Sequence, residues 1–395
     1  MLNLITTKTS RYRVASWLSF LAITMGLAAC GGGEQTTAPT TGGGDTGGGG
    51  QPPAQTAQGD FPAITLPFTG NASVNGGGAT FPAPLYQGWF ANLSREVPQL
   101  RFNYASIGSG AGIEQFIQGT LDFGASDIGM KQEQIDQVSR GVILLPMTAG
   151  KIVLAYNLPG IDNLNLTREA YVEIFQGKIT KWNDPKITAA NPGVDLPDRD
   201  IIVVHRSDGS GTTGVFTNHL SAVSEDWANT IGGGTAVQWP TGGNFLGAKG
   251  NEGVTAAVST TPDSIGFVEY SFAKNNGLSM ASLENKAGKF ILPSPESGSA
   301  TLAAVELPEN LLAFITDPDG EDSYSIVTYS WMMLFKEYDD PNKPIALEAM
   351  IQYGLNQGQV QAEQLGYIPL PPEVKAKVAA AADQLSPDFT IEVAD

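Results

Sequence analysis

The stretch His205–Gly214, "HRSDGSGTTG", sets one arginine, one aspartate and a string of glycines and hydroxyl side chains between an apolar run, "DIIVV", and "GVFTNHL". A strand-to-helix turn of this make-up offers closely approachable backbone N–H groups, hydroxyl donors and the partial positive charge of a helix N-terminus. Those are the tools for holding a small oxyanion. Two further stretches repeat the pattern, "NGGGATFPAP" (75–84) and "SIGSGAGI" (106–113). A tetrahedral anion needs many donors around four oxygens, and these turns supply them with few formal charges. The chain carries 22 basic against 40 acidic residues, a net charge of −18. Its global field therefore repels anions, and nucleic acid is excluded as a partner. Local dipoles can still capture what that field rejects.

Each turn taken singly has a plain steric explanation, since glycine-rich strand-to-helix turns are common. Neither "GSGTTG" nor "GSGAGI" matches the phosphate loop of nucleotide hydrolases, because no Lys-Ser/Thr pair follows the last glycine. Neither matches the dinucleotide fingerprint. A fourth stretch, "LDFGASDIGM" (121–130), brings Asp127. On spacing alone it reads as a turn-forming or capping aspartate. The functional alternative is an ionised carboxylate that tolerates an anion only if the anion has a proton to donate. Phosphate near neutral pH has one and sulfate does not. A buried acceptor facing sulfate would stay unpaired, at a cost of about 1–3 kcal/mol or more.

The elements that position these turns alternate in type. Strands are expected at 101–107, 142–146, 151–157 and 200–205, and later in "SIGFVEYSF" and "SIVTYSWMMLF". Helices are expected at 112–119, in "NLTREAYVEIFQGK" with Thr167 as N-cap and Gly177 near its end, and in "TGVFTNHL". Two C-terminal helices fit "PIALEAMIQYGLNQG" and "PEVKAKVAAAADQL", while 178–200 reads as surface loop. The alternation predicts α/β layers with largely parallel sheets.

Ahead of this lies a leader. Lys8, Arg11 and Arg13 precede a short apolar core that ends in "LAAC", with Cys30 the only cysteine. Residues 1–29 read as a secretory signal peptide, and Leu27–Cys30 as a lipobox with Cys30 the lipidation site. One cysteine excludes an intrachain disulfide. Residues 30–70 read as a Gly/Thr/Pro-rich tether, spanning roughly 35 Å as a flexible coil. The expected product is extracytoplasmic and held to a membrane by its lipid.

Taken together, "GGGATFPAPLY", "IGSGAGI", "DFGASD" and "RSDGSGTTGVFT", supported by "GKITKWND", "VQWPTG", "GIDNLNL" and "IGFVEY", resemble the phosphate-binding proteins (PstS type) of bacterial high-affinity phosphate ABC transporters. The similarity spans 74–395 and is most specific over 74–275. It implies an α/β, two-lobed type II periplasmic-binding-protein clamshell with the ligand in the cleft. Residues 71–148 plus 324–395 would form lobe I and 149–323 lobe II, with crossings near Met147–Gly150 and Tyr324–Thr328. It also implies inorganic phosphate as ligand, held by Thr80, the Phe81 N–H, Ser109, Asp127, Arg206, Ser210, Gly211 and Thr212, with Asp208 fixing the arginine. No cofactor, metal or catalytic residue is implied; the partner would be a permease pair, and the chain a monomer. Two residues depart from the pattern. Gly110 stands where many members have a polar side chain, and His205 where some have a second base. The segment 241–250 reads as a longer loop than usual.

Rival readings remain at this point. Ser210 with His205 or His219 and Asp208 would suit a hydrolase, although "GSGTT" lacks the G-x-S-x-G elbow. Another oxyanion, or a sensing or adhesive role, is also compatible with the residues.

Overall fold

The computed structural model describes residues 61–242 and 244–394. The expected signal peptide, Cys30 and most of the tether lie outside the described residues. At its near end the tether is part of the body: Ile64, Leu66 and Phe68 pack against the core, as their apolar side chains require.

Eight strands order the site. They are β1 (Ala72–Gly78), β2 (Leu100–Ser106), β3 (Phe123–Ser126), β4 (Val142–Asn157), β5 (Ile202–Arg206), β6 (Phe245–Ala248), β7 (Ser264–Glu269) and β8 (Val327–Phe335). Their order in one sheet is β2-β1-β3-β8-β4-β7-β5-β6, and a short strand, Ser279–Met280, adds to β4. Four helices matter most: α1 (Ala83–Glu96), α2 (Ser109–Ile117), α3 (Gly211–Val223) and α4 (Gly250–Thr260). Strands β1, β2 and β3 run parallel, as do β5, β6 and β7. These two parallel sets lie on either side of the centre of the sheet.

The expectation of largely parallel pairing needs correction at the centre. Strand β8 is antiparallel to β3 and β4, and β4 is antiparallel to β7. The reason is topological: the chain passes from the first set to the second along β4 and returns along β8. The two apolar runs expected as separate strands at 142–146 and 151–157 are one strand of 16 residues. It pairs with β8 through Lys151 and with β7 from Ile152, so one strand links the two parallel sets. Pro146 cannot donate to a ladder, and the register shifts beside it, between Ser330 and Trp331.

Other differences have local causes. "SIGFVEYSF" leaves the sheet at Glu269, whose carboxylate accepts from the Ser271 N–H (2.8 Å) and starts a helix at Tyr270. The 178–200 segment is more than surface loop: it holds a helix, Pro185–Ala190, capped by Asp184, and it buries Trp182 and Ile187. The helix expected in "PIALEAMIQYGLNQG" breaks at Asn356 into Asn342–Leu355 and Gln357–Leu365. The segment 241–250 is not simply loop, since 245–248 form β6. Thr167 caps its helix, accepting from the Ala170 N–H at 3.1 Å.

Candidate functional site

The candidate residues follow the C-terminal ends of parallel strands, where open α/β sheets bind ligands. Thr80 and Phe81 follow β1, Ser109 opens the helix after β2, Asp127 follows β3, and Arg206–Thr212 lead from β5 into α3. All of these except Asp208 and its neighbours are buried. The fold brings them together. The Asp127 N–H points at Ser109 Oγ (3.4 Å), and Thr212 Oγ1 donates to Asp127 Oδ2 (3.1 Å). A Cβ on Gly211 would stand 2.4 Å from Ser109 Oγ and 2.8 Å from the Asp127 nitrogen. Only glycine lets these turns meet. The Gly110 N–H donates to Gly209 O at 3.0 Å, joining the turn after β2 to the turn after β5, and a Cβ there would lie 3.2 Å from Gly209 Cα. That contact is tight, and a side chain at 110 would need the Gly209 turn to shift by a few tenths of an ångström.

Arg206 is the sole candidate cation. Its Nε donates to Asp208 Oδ1 (2.8 Å) and its Nη2 to Asp208 Oδ2 (2.6 Å), while the buried Nη1 has no partner. The guanidinium side chain is 1% exposed. Burial pushes the Asp208 pKa up, but the bonds and charge of Arg206 and the Gly250 N–H outweigh it, leaving the group below its ordinary value. Asp208 therefore stays ionised and holds the fork in one orientation. Asp127 behaves oppositely. Burial raises its pKa to about 7, against the opposing pull of hydrogen bonds from Ser330 and Thr212 and the charge of Arg206. A carboxyl poised there can accept or hold a proton near neutrality.

The hydroxyl of Ser210 is the N-cap of α3, accepting from the Thr213 N–H at 3.0 Å. The Gly211 and Thr212 N–H groups belong to the first turn, where no intrahelical carbonyl is available. The amides, Nη1 and hydroxyls among the candidate residues are donors, and the Asp127 carboxylate is an acceptor beside them. Neither histidine joins them. His205 Nδ1 bonds Arg206 O (3.0 Å), its ring stacks on Trp239, and burial lowers its pKa, so no second cation is added. His219 shares a hydrogen bond with the Tyr171 hydroxyl (2.9 Å), and burial takes its pKa down to about 4. Neither ring bonds Ser210. Among the described residues no group of three or more His, Cys, Asp or Glu could hold a metal.

Three site residues escaped sequence reasoning. Ser330 Oγ donates to Asp127 Oδ1 (2.9 Å) and Thr328 Oγ1 to Asp127 O (3.1 Å). Asn251 bonds Thr80 and Thr212. The hydroxyls carried a signal, being polar residues inside an otherwise apolar strand, where each needs a partner. Asn251 lies just past the segment 241–250 read as loop, with no motif of its own to mark it.

A family model described as a PBP superfamily domain matches residues 36–354. The "Phosphate-binding protein PstS" of Pasteurella multocida is 45% identical over 312 residues, covering 78% of this chain and 89% of the relative. That of Haemophilus influenzae is 43% identical, covering 80% and 93%. Among solved structures, a phosphate-binding protein from Stenotrophomonas maltophilia superposes with a TM-score of 0.66 at 19% identity, covering 81% of this chain and all of that one (100%). A high affinity periplasmic phosphate-binding protein solved with phosphate gives 0.65 at 21% identity, covering 78% and 93%. The structural likeness fixes a two-lobed type II periplasmic-binding-protein fold, and the sequence identity carries the assignment further: the chain belongs to the PstS phosphate-binding proteins, within the PBP superfamily.

Proposed function

We propose that the protein captures inorganic phosphate outside the cytoplasm and delivers it to the permease pair of an ABC transporter, without catalysing a reaction. The observation that carries this is the pairing, in one buried place, of an unpartnered Arg206 Nη1 with an Asp127 carboxyl of raised pKa. The arginine and the surrounding N–H and O–H groups stabilise a tetrahedral dianion, and the Asp127 carboxylate accepts a hydrogen bond from the proton that phosphate retains. Thr80, Phe81 N–H, Ser109, Ser210, Gly211 and Thr212 complete the shell in this reading. The lobes are 71–148 with 324–395, and 149–323; Cys30 is the lipid anchor and the chain acts as a monomer. Close family relatives called phosphate-binding proteins, and a like-folded structure holding phosphate, support it.

Calorimetry on phosphate-stripped protein should show one phosphate bound tightly and negligible heat with sulfate at pH 8. Comparable heats for the two anions would overturn the proposal. Gly211→Ala should weaken phosphate at least tenfold, because the new methyl pushes Ser109 and Asp127 out of place, and overpacking of this kind costs about 1–3 kcal/mol. Unchanged affinity in that variant would mean the turns do not meet around the ligand.

A further inference from the structure

The buried side chain of Asn251, at the start of α4, spans the two lobes. Its Oδ1 accepts from the Glu269 N–H at 3.0 Å. A backbone N–H can only donate, so this bond fixes which end of the amide is oxygen. The amide nitrogen must then face the other way. Nδ2 donates to Thr80 Oγ1 (2.8 Å) and to Thr212 Oγ1 (3.3 Å). The Asn251 backbone N–H also donates to Thr80 Oγ1, at 3.1 Å.

Counting lone pairs decides where the threonine protons go. A hydroxyl oxygen has two acceptor sites and one proton. Both acceptor sites of Thr80 are filled by Asn251, so Thr80 can act toward anything else only as a donor. Among the described residues nothing accepts its proton, although the side chain is buried. Thr212, receiving Nδ2, gives its own proton to Asp127 Oδ2 (3.1 Å). Its hydroxyl proton is therefore not left over for a bound anion.

We infer that Asn251 is a positioning residue of the anion site, which commits the Thr80 proton to the ligand and the Thr212 proton to Asp127. The inference rests on the phosphate reading above and deepens it. Thr80 follows β1 while Asn251 follows β6, so the donor is set only when the lobes are together. Closing the clamshell and aligning this donor are one event.

The test is a double-mutant cycle read by phosphate calorimetry, with the melting temperature of each ligand-free variant as a folding control. Asn251→Ala and Thr80→Val should each weaken phosphate by about ten- to a hundredfold, the range for a hydrogen bond to a charged ligand. If Asn251 acts through the Thr80 hydroxyl, the double variant should lose little more than the worse single one. Losses that multiply would overturn the inference and leave a merely structural role. Asn251→Ala also orphans the Glu269 N–H, so Asn251→Asp, which keeps that acceptor, is the second arm. The new carboxylate can only accept, turning both threonine protons away from their targets. Its loss should be at least as large as that of Asn251→Ala, and should ease as pH falls and the introduced carboxyl is protonated. A loss that ignores pH would count against the inference. Failure of the unmodified chain to bind phosphate would overturn the reading of the site itself, and this inference with it.

Discussion

Asp127→Asn is expected to weaken phosphate binding by one to two orders of magnitude, about 1.5–3 kcal/mol for a lost bond to a charged acceptor, while sulfate binding rises. The asparagine amide offers a donor where the carboxylate offered an acceptor. Phosphate loses the place for its proton, and sulfate gains a partner for a bare oxygen. The same change should stabilise the ligand-free protein. Burial raises the Asp127 pKa from 3.8 to about 7. A carboxyl whose folded pKa is raised leaves stability intact below its unfolded pKa and costs stability as pH rises through the folded value. The loss accumulates between those two values and by pH 8 amounts to on the order of 4 kcal/mol. Melting of the ligand-free variant should exceed that of the unmodified protein at pH 8, with a much smaller difference at pH 4. The unmodified protein should also discriminate less as pH falls below about 7, because a protonated Asp127 can donate to sulfate. Sulfate affinity that stays flat between pH 8 and pH 5 would refute this role for the carboxyl.

Arg206→Ala should cost still more, at least a hundredfold in phosphate affinity, since removing one partner of a buried pair costs about 3–5 kcal/mol. Two losses combine: the free Nη1 no longer meets the anion, and Asp208 becomes an unpaired carboxylate beside it. Arg206→Lys retains the charge but not the fork. An ammonium cannot hold both Asp208 oxygens and still present a rigid donor to the ligand. Its affinity should therefore fall at least tenfold, by loss of about 1.5 kcal/mol or more in directed bonding. Calorimetry distinguishes the cases: if lysine restores full affinity, charge alone is at work and the Asp208 clamp is incidental.

The candidate site was legible because its chemistry is local. Each turn packs glycines, hydroxyls and a helix start into a few consecutive residues, and Arg206 and Asp208 are two apart. What the sequence hid is what folding imports from far away. Ser330 reaches Asp127 from a strand two hundred residues on, and Asn251 reaches Thr80 from the opposite lobe. No periodicity encodes such partners. The fold shows the same division. The Thr167 cap and the apolar strands follow from neighbouring residues, whereas the fusion of 142–157 into one strand depends on β8 and β7 lying on either side. Local propensity around "PMTAGK" argues for a break; cross-strand pairing overrides it.

The interlocked glycine turns join as well as fit. Gly110 N–H is bonded to Gly209 O, and Ser106 Oγ to Glu252 Oε1 at 2.8 Å near the surface, so direct bonds tie the chain together beside the candidate site. In the proposed role, release of the ligand would have to break these bonds as well as those to the ligand itself. A transporter in the proposed role need only prise the rims apart. Cargo has been vetted within, so the docking face can be blind to it.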